Sequence, residues 1–360
     1  MLTDQQLFFE GDDLYESMLR DIDQARRRVW MESYIFAADR TGRRFADALV
    51  RSAERGLDTR LHVDAAGSLF VLPRRVRADL RAHGVQLREF HRWSWRDPWR
   101  YNRRNHCKLL ILDDCRVYLG GFNIQDNSSR TCFGEQRWRD THVRLDSEDL
   151  ARQAVQLFET FWTRRVPRHL RWSRPPDLFR GDSLVSNRFP RHRHALRRLF
   201  SHGLRRARHR VWLTTPYFTP DRRTRWQLRA AARRGVDVRL LLPAVSDHLF
   251  VQLAARHIYR RLLLEGLRIF EYSPRVLHAK TVVVDGTWAS IGTANVDHRS
   301  FFHNYEINFV TDNGDICGVL EEQFEVDLGD SVEITMEDVH RMGWWSWLGG
   351  HIAWRLRRWF

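Results

Sequence analysis

The chain holds 60 lysine and arginine residues, of which only two, Lys108 and Lys280, are lysine. Each follows a histidine by two positions, as His106-Cys107-Lys108 and His278-Ala279-Lys280. With 17 histidines in 360 residues, chance rarely arranges this twice. An imidazole can attack phosphorus or carry a proton. A slim ammonium can sit against a phosphate oxygen in a space too tight for the planar arginine fork. The residues that follow, LLILD and TVVVD, read as buried strands that end in Asp113 and Asp285. Positions i and i+2 of a strand share a face, so each His/Lys pair projects together. A solvated strand edge with incidental charges would account for one such pair. It accounts poorly for two that use the only lysines in the chain.

Both motifs continue alike. After Asp113 come six residues and then Gly120-Gly121-Phe122-Asn123, and after Asp285 come six residues and then Gly292-Thr293-Ala294-Asn295. Small residues let backbone approach an anion, which makes the amides of Gly121 and Thr293 candidate phosphate donors. Asn123 and Asn295 add candidate side-chain donors. A G-x-x-N on its own is more often a turn.

The elements that must hold these motifs also repeat. ARRRVW at 25–30 matches ARHRVW at 207–212, and each is followed by an apolar piece with aromatics, Tyr34 with Phe36 and Tyr217 with Phe218. AERGLDTRLHV at 53–63 matches ARRGVDVRLLL at 232–242, where Gly56 and Gly235 read as helix C-caps before a strand. HGVQLREF at 83–90 matches EGLRIFEY at 265–272. Four matches in one order predict two copies of an α/β unit, each a sheet with helices on both faces. The expected division is a first copy over 1–165, a proline-rich linker over 166–182, a second copy over 183–331 and a separate tail over 332–360.

A length of 360 residues with 43% hydrophobic content suits two globular domains and excludes a disordered chain. The net charge of +15 favours polyanionic partners, either nucleic acid or an anionic membrane face. Cys107, Cys115, Cys132 and Cys317 form no C-x-x-C pair and no metal-type cluster, so reduced thiols in a cytosolic protein and no metal are expected. The opening MLTDQQLFFEGDDLY lacks the pattern of a signal peptide, and no apolar run reaches the ~18 residues of a spanning helix. Any membrane contact is therefore expected to be peripheral. Of the 15 tryptophans, eight fall in two clusters, FHRWSWRDPWRY at 90–101 and the tail GWWSWLGGHIAWRLRRWF at 343–360. Tryptophan with arginine suits a membrane interface, so both segments are candidate membrane contacts, packing onto the protein itself being the alternative. Gly349 and Gly350 are expected to interrupt any tail helix.

The pattern H-x-K-x4-D-x6-G-[GST]-x-N, present twice, resembles the phospholipase D superfamily. The segments ESYIFAADRTGRRFADAL, RNHCKLLILD, GGFNI, WRDTHV, PYFTPD and GTANVDHRSFFHNYEIN further resemble bacterial cardiolipin synthases of the short type without N-terminal transmembrane helices. The likeness runs from about residue 8 to 325. Cys107 departs from it, standing where relatives often carry a basic residue.

The resemblance implies two tandem pseudo-symmetric α/β/α sandwich domains with an active site at their interface. It implies a cofactor-free double displacement: one histidine forms a phosphohistidine, and the other protonates the leaving alcohol and then deprotonates the incoming one. His106 is assigned as nucleophile and His278 as acid/base, although pseudo-symmetry leaves the reverse open. Lys108, Lys280, Asn123 and Asn295 would stabilise the developing charge. Asp140 is expected to orient His106, and Glu306 to orient His278. Asp113 and Asp285 belong to the motif but are expected to brace strand and loop. The implied substrate is an anionic phospholipid, phosphatidylglycerol, taken at the cytoplasmic face of the membrane. A phospholipase-type hydrolase and a nuclease of the same superfamily are the competing activities, the tryptophans favouring lipid over nucleic acid. A non-enzymatic membrane adaptor conflicts with two intact motifs.

Overall fold

The computed structural model describes residues 5–96, 101–163, 165, 181–189, 192–341 and 344–357, without the side chains of 344–347. Most of the expected linker, 166–180, lies outside the described residues.

Each half builds one sheet. The first contains β1 (Gln5–Phe8), β2 (Arg28–Ser33), β3 (Asp58–Asp64), β4 (Gln86–Phe90), β5 (Leu109–Leu112), β6 (Arg116–Gly120) and β7 (His142–Asp146), in the order β1-β7-β6-β5-β2-β3-β4. The second half supplies β8 (Ser183–Ser186), β9 (Arg210–Thr214), a two-residue β10 (Phe218–Thr219), β11 (Asp237–Pro243), β12 (Arg268–Tyr272), β13 (Thr281–Val284), β14 (Trp288–Gly292), a two-residue β15 (Val296–Asp297), β16 (Ile307–Thr311) and β17 (Ser331–Glu333). Its main sheet runs β17-β12-β11-β9-β13-β14-β16-β8. Apart from β17, the two orders coincide strand for strand. In each, three parallel strands come from helix crossovers and the motif hairpin adds antiparallel strands beside them.

The local chemistry explains these elements. Helix Arg40–Glu54 is capped by Asp39, whose carboxylate accepts the Gly42 N–H at 2.9 Å, and helix Arg222–Arg233 is capped in the same way by Asp221. Gly56 and Gly235, expected as caps, take φ of +82° and +85° just beyond their helices. Strand side chains alternate between two cores. Leu110 and Leu112 face an outer core of the first half, while Leu109 and Ile111 face a central core shared with Val283, Ile291 and Phe309 of the second. That shared core holds the halves together, helped by the buried Arg139–Asp327 pair across the boundary at 2.6 Å.

The tail corrects one expectation. Helix Trp344–Leu356 runs unbroken through Gly349 and Gly350. A Cβ on Gly350 would lie 3.0 Å from the Leu253 carbonyl oxygen and 3.2 Å from the His257 Cβ. The glycine costs about 1 kcal/mol of helix propensity, but it allows close packing on helix Leu249–His257. Ala353 is fully buried, and Trp354 packs at the edge of the second half's own outer core, built from residues such as Leu213, Leu240 and Ile269, with Arg225 and Arg357 over its ring at 4.9 and 4.2 Å.

Candidate active site

Just before β5 and β13, each motif segment makes a rung of backbone pairing with the opposite half. The His106 N–H donates to the Tyr305 carbonyl at 2.9 Å, and the Tyr305 N–H donates to the Arg104 carbonyl at 2.9 Å. Likewise the His278 N–H donates to the Arg139 carbonyl at 2.7 Å, and the Arg139 N–H to the Val276 carbonyl at 2.9 Å. The residue after Tyr305 is Glu306, and the residue after Arg139 is Asp140. Each carboxylate therefore lands beside the histidine of the other half.

This exchanges the expected partners. His106 Nδ1 lies 2.9 Å from Glu306, not beside Asp140. His278 Nδ1 lies 2.5 Å from Asp140, not beside Glu306. The spacing along the chain identified both carboxylates, but a pairing across the boundary decides which imidazole each one holds. Glu306 also accepts from the Thr293 hydroxyl at 2.6 Å and the Ser300 hydroxyl at 2.9 Å. Asp140 also accepts the Thr141 N–H at 2.7 Å, and the Lys280 ammonium stands 3.6 Å away. Burial alone would raise both carboxyls. The polar and charged groups beside them, His106, Thr293 and Lys108 at Glu306, and Lys280 and His278 at Asp140, hold both below their ordinary range through hydrogen bonds and charge.

Both histidines line one cleft of about 580 Å³ between the halves, together with Asn123 and Asn295. With Nδ1–H given to a carboxylate, each ring keeps the lone pair of Nε2 for chemistry. Burial pushes His106 down to about 4, and it also lowers His278, reinforced by the Lys280 charge. The neutral ring is thus the resting form. The lysines lie beneath the rings: Lys108 donates to the His106 carbonyl at 2.9 Å, and Lys280 donates to the His278 carbonyl. Lys280 Nζ also lies 2.7 Å from His278 Nδ1. That nitrogen cannot both accept from the ammonium and donate to Asp140, and we assign its proton to the charged carboxylate. Burial and the charge of Lys280 push Lys108 down to about 7.

Two further expectations change. The Gly121 N–H donates to the Thr141 carbonyl at 2.9 Å and the Thr293 N–H to the Ile307 carbonyl at 3.0 Å, so neither amide is left for a phosphate. Both residues instead support the carboxylates, Thr293 by its hydroxyl and Gly121 by its lack of a side chain. A Cβ on Gly121 would sit 2.0 Å from an Asp140 oxygen. Asn123 accepts the Ile35 N–H through Oδ1 at 3.1 Å, while Asn295 Oδ1 is buried with no hydrogen-bond partner among the described residues.

The motif aspartates stand outside the cleft lining and act as braces. Asp113, at φ +51°, accepts the N–H groups of Arg26, Arg27 and Arg28. Asp285, at φ +55°, does the same for Arg208, His209 and Arg210. Each ties a motif hairpin to the start of the neighbouring parallel strand. Cys107 is fully buried in the central core, with burial pushing its thiol up to about 12.

Sequence reading missed much of the cleft wall. Tyr34 meets the His106 ring edge-on at 5.0 Å, and Tyr217 meets His278 in the same way at 6.3 Å. The Tyr217 hydroxyl donates to Asp247 at 2.7 Å, and Trp138 and Asp297 complete the lining near the motifs. The repeated aromatics after each first strand were the available signal for the tyrosines; nothing in the spacing marked Asp247.

The chain matches the family described as cardiolipin synthase, PLD-like domain, over residues 18–162 and 200–328. It is 33% identical to cardiolipin synthase A of Pseudomonas entomophila (strain L48), over 93% of this chain and 71% of that one. It is 32% identical to the cardiolipin synthase of Clostridium perfringens (strain SM101 / Type A), over 97% and 75% of the two chains. Among solved structures, phosphatidylserine synthase from Haemophilus influenzae Rd KW20 superposes with a TM-score of 0.77, covering 100% of this chain and 96% of that one at 11% identity, a likeness of fold alone.

Proposed function

The chain belongs to the cardiolipin synthase family built from phospholipase D-like domains, and from that premise we propose that it moves a phosphatidyl group from one phosphatidylglycerol to another and releases glycerol. The observation that carries the reading is the pair of imidazoles on one cleft, each with Nδ1 held by a buried carboxylate from the other half.

In the first step His106 Nε2 attacks the lipid phosphorus. The P–N bond forms, the bond from phosphorus to the glycerol oxygen breaks, and His278, charged beforehand by a solvent proton that the substrate phosphate favours, gives its Nε2 proton to the leaving glycerol and is left neutral. In the second step His278 takes the proton from a hydroxyl of the second phosphatidylglycerol, that oxygen attacks phosphorus, and the P–N bond breaks. The low proton affinity of His106 supports its role as nucleophile, since its lone pair stays free at neutral pH. Lys108 and Lys280 place positive charge beneath the reacting phosphate, and Asn123 and Asn295 supply polar groups in the wall. Asp113 and Asp285 act only through the hairpins they brace.

On the same reading the protein works peripherally, at the cytoplasmic face of the membrane. Among the described residues no helix is long and apolar enough to cross a bilayer, and the net charge of +15 suits an anionic surface. The test is to incubate purified protein with phosphatidylglycerol and separate the products. Cardiolipin with glycerol supports the reading. Phosphatidic acid alone would make the enzyme a hydrolase, and DNA cleavage without lipid turnover would make it a nuclease.

A further inference from the structure

We propose that the membrane is met by two apolar segments that follow equivalent strands of the two halves, the loop 65–73 after β3 and, after β11, the loop 244–248 with the first turn of helix Leu249–His257, on either side of the cleft mouth. The inference rests on the reading of the substrate as a bilayer lipid.

The first loop exposes Leu69, Phe70 and Val71, with Phe70 91% exposed. The second segment exposes Val245, Leu249 and Phe250, at about three-fifths each. Each patch is tied to the site. Ser68 in the first loop donates to the Tyr34 carbonyl at 3.1 Å and accepts the Phe36 N–H, and Tyr34 and Ile35 line the cleft. Leu249 and Phe250 line it themselves. A third apolar piece joins the first loop: the Ala65 N–H donates to the Phe90 carbonyl at 3.0 Å, and the chain continues from there to Trp93 and Trp95, the latter 87% exposed. Other exposed apolar side chains, such as Trp226, Leu264 and Val326, come from different helices.

Water is a costly neighbour for a patch of this kind. An anionic bilayer suits it for three reasons. A phosphatidyl group can reach the histidines with its acyl chains still in an apolar phase only if the cleft mouth touches the membrane. Exposed arginines border the apolar groups: Arg74 and Arg75 directly follow the first loop, and Arg103 lies beyond the Trp93 segment. A second copy of the chain seated on the same surface would block lipid entry instead of supplying it.

The test is sedimentation of the full chain with vesicles of equal parts phosphatidylglycerol and phosphatidylcholine, comparing wild type with Phe70→Asp/Val245→Asp. Both side chains are exposed, so the melting temperature should hold. Partition onto vesicles should fall at least about tenfold, while Val326→Asp on helix Gly314–Gly329 should bind like wild type. Loss of binding in the double variant supports the inference whether or not cardiolipin is formed. Undiminished binding overturns it even in an active enzyme. It also fails if light scattering shows a wild-type dimer that the double variant converts to monomer with vesicle binding unchanged.

Discussion

His106 of the first repeat bonds through Nδ1 to Glu306 of the second, 200 residues away, at 2.9 Å. Its pseudo-symmetry mate, His278, bonds to Asp140 of the first at 2.5 Å. Neither half alone therefore supplies both members of either of these two imidazole–carboxylate pairs, and the site exists only when the two sheets are docked. The shared central core and the site are consequences of one packing event.

The exchange assigns each carboxylate to a step. Glu306→Gln and Asp140→Asn keep shape but lose the charge that fixes the Nδ1 proton, so kcat/KM should fall about 10²- to 10⁴-fold in each. A phosphatidyl ester of p-nitrophenol separates them, because its leaving group needs no proton. Asp140→Asn should still release nitrophenolate in a burst and accumulate the adduct on His106, seen by mass spectrometry. Glu306→Gln should show neither. The opposite pattern would make His278 the nucleophile.

Rate and stability should respond to pH in definite directions. His106 is at about 4 in the folded protein against an ordinary 6.5, so the acid limb of kcat/KM should lie well below a normal histidine. Lys108, at about 7 against 10.5, should give an alkaline limb far below a normal lysine. Lys108→Arg keeps its charge at high pH and should shift that limb upward, while the wider fork lowers the maximum roughly 10²-fold. For stability, the unfolded chain binds the His106 proton at 6.5 and the folded one only near 4, so folding weakens as pH drops through that window. Glu306, lowered in the folded state, adds a further loss as it is protonated at lower pH. Urea titrations from pH 7 to 4 should show a shallower slope for His106→Phe.

The parts of this arrangement that lie within one stretch of chain were legible in the sequence. The HCK and HAK motifs, the strands after them and the units of the repeat all depend on residues whose spacing sets their geometry. What stayed hidden depends on contacts across the boundary. Asp140 and Glu306 could be picked out, but the single rungs at Asn105–Tyr305 and Arg139–Leu277 decide their partners, and no periodicity encodes those. The Gly121 and Thr293 amides looked available only because their ladder partners are remote in sequence. Gly350 read as a breaker because the helix it packs on lies about a hundred residues upstream.

Asp113 offers a prediction that separates brace from catalyst. Asp113→Ala loses an acceptor for three backbone N–H groups and places alanine at φ +51°. The folded state should lose about 1–3 kcal/mol. Asparagine tolerates the left-handed conformation and keeps one acceptor, so Asp113→Asn should lose about half as much. Below their melting temperatures both should retain kcat within about threefold of wild type, because the side chain acts only through the hairpin. A kcat loss comparable to that of His106→Ala would contradict the bracing role.

Gly121 offers the sharpest test of how the carboxylates are held. Alanine there would bring Cβ to 2.0 Å from Asp140 Oδ1. The carboxylate must move, and its bond to His278 goes with it. Gly121→Ala should cut kcat by about 10²-fold or more with little change in substrate KM, since the lesion acts on proton transfer and not on lipid binding. Thr293 holds the matching place in the second half and donates its hydroxyl to Glu306, so Thr293→Val should cost a milder ~1–3 kcal/mol of transition-state stabilisation. If the alanine acts by displacing Asp140, it should add almost nothing once Asp140 is already Asn. A double-mutant cycle measures that coupling directly. Fully additive losses would mean that Gly121 serves the reaction by a route other than Asp140.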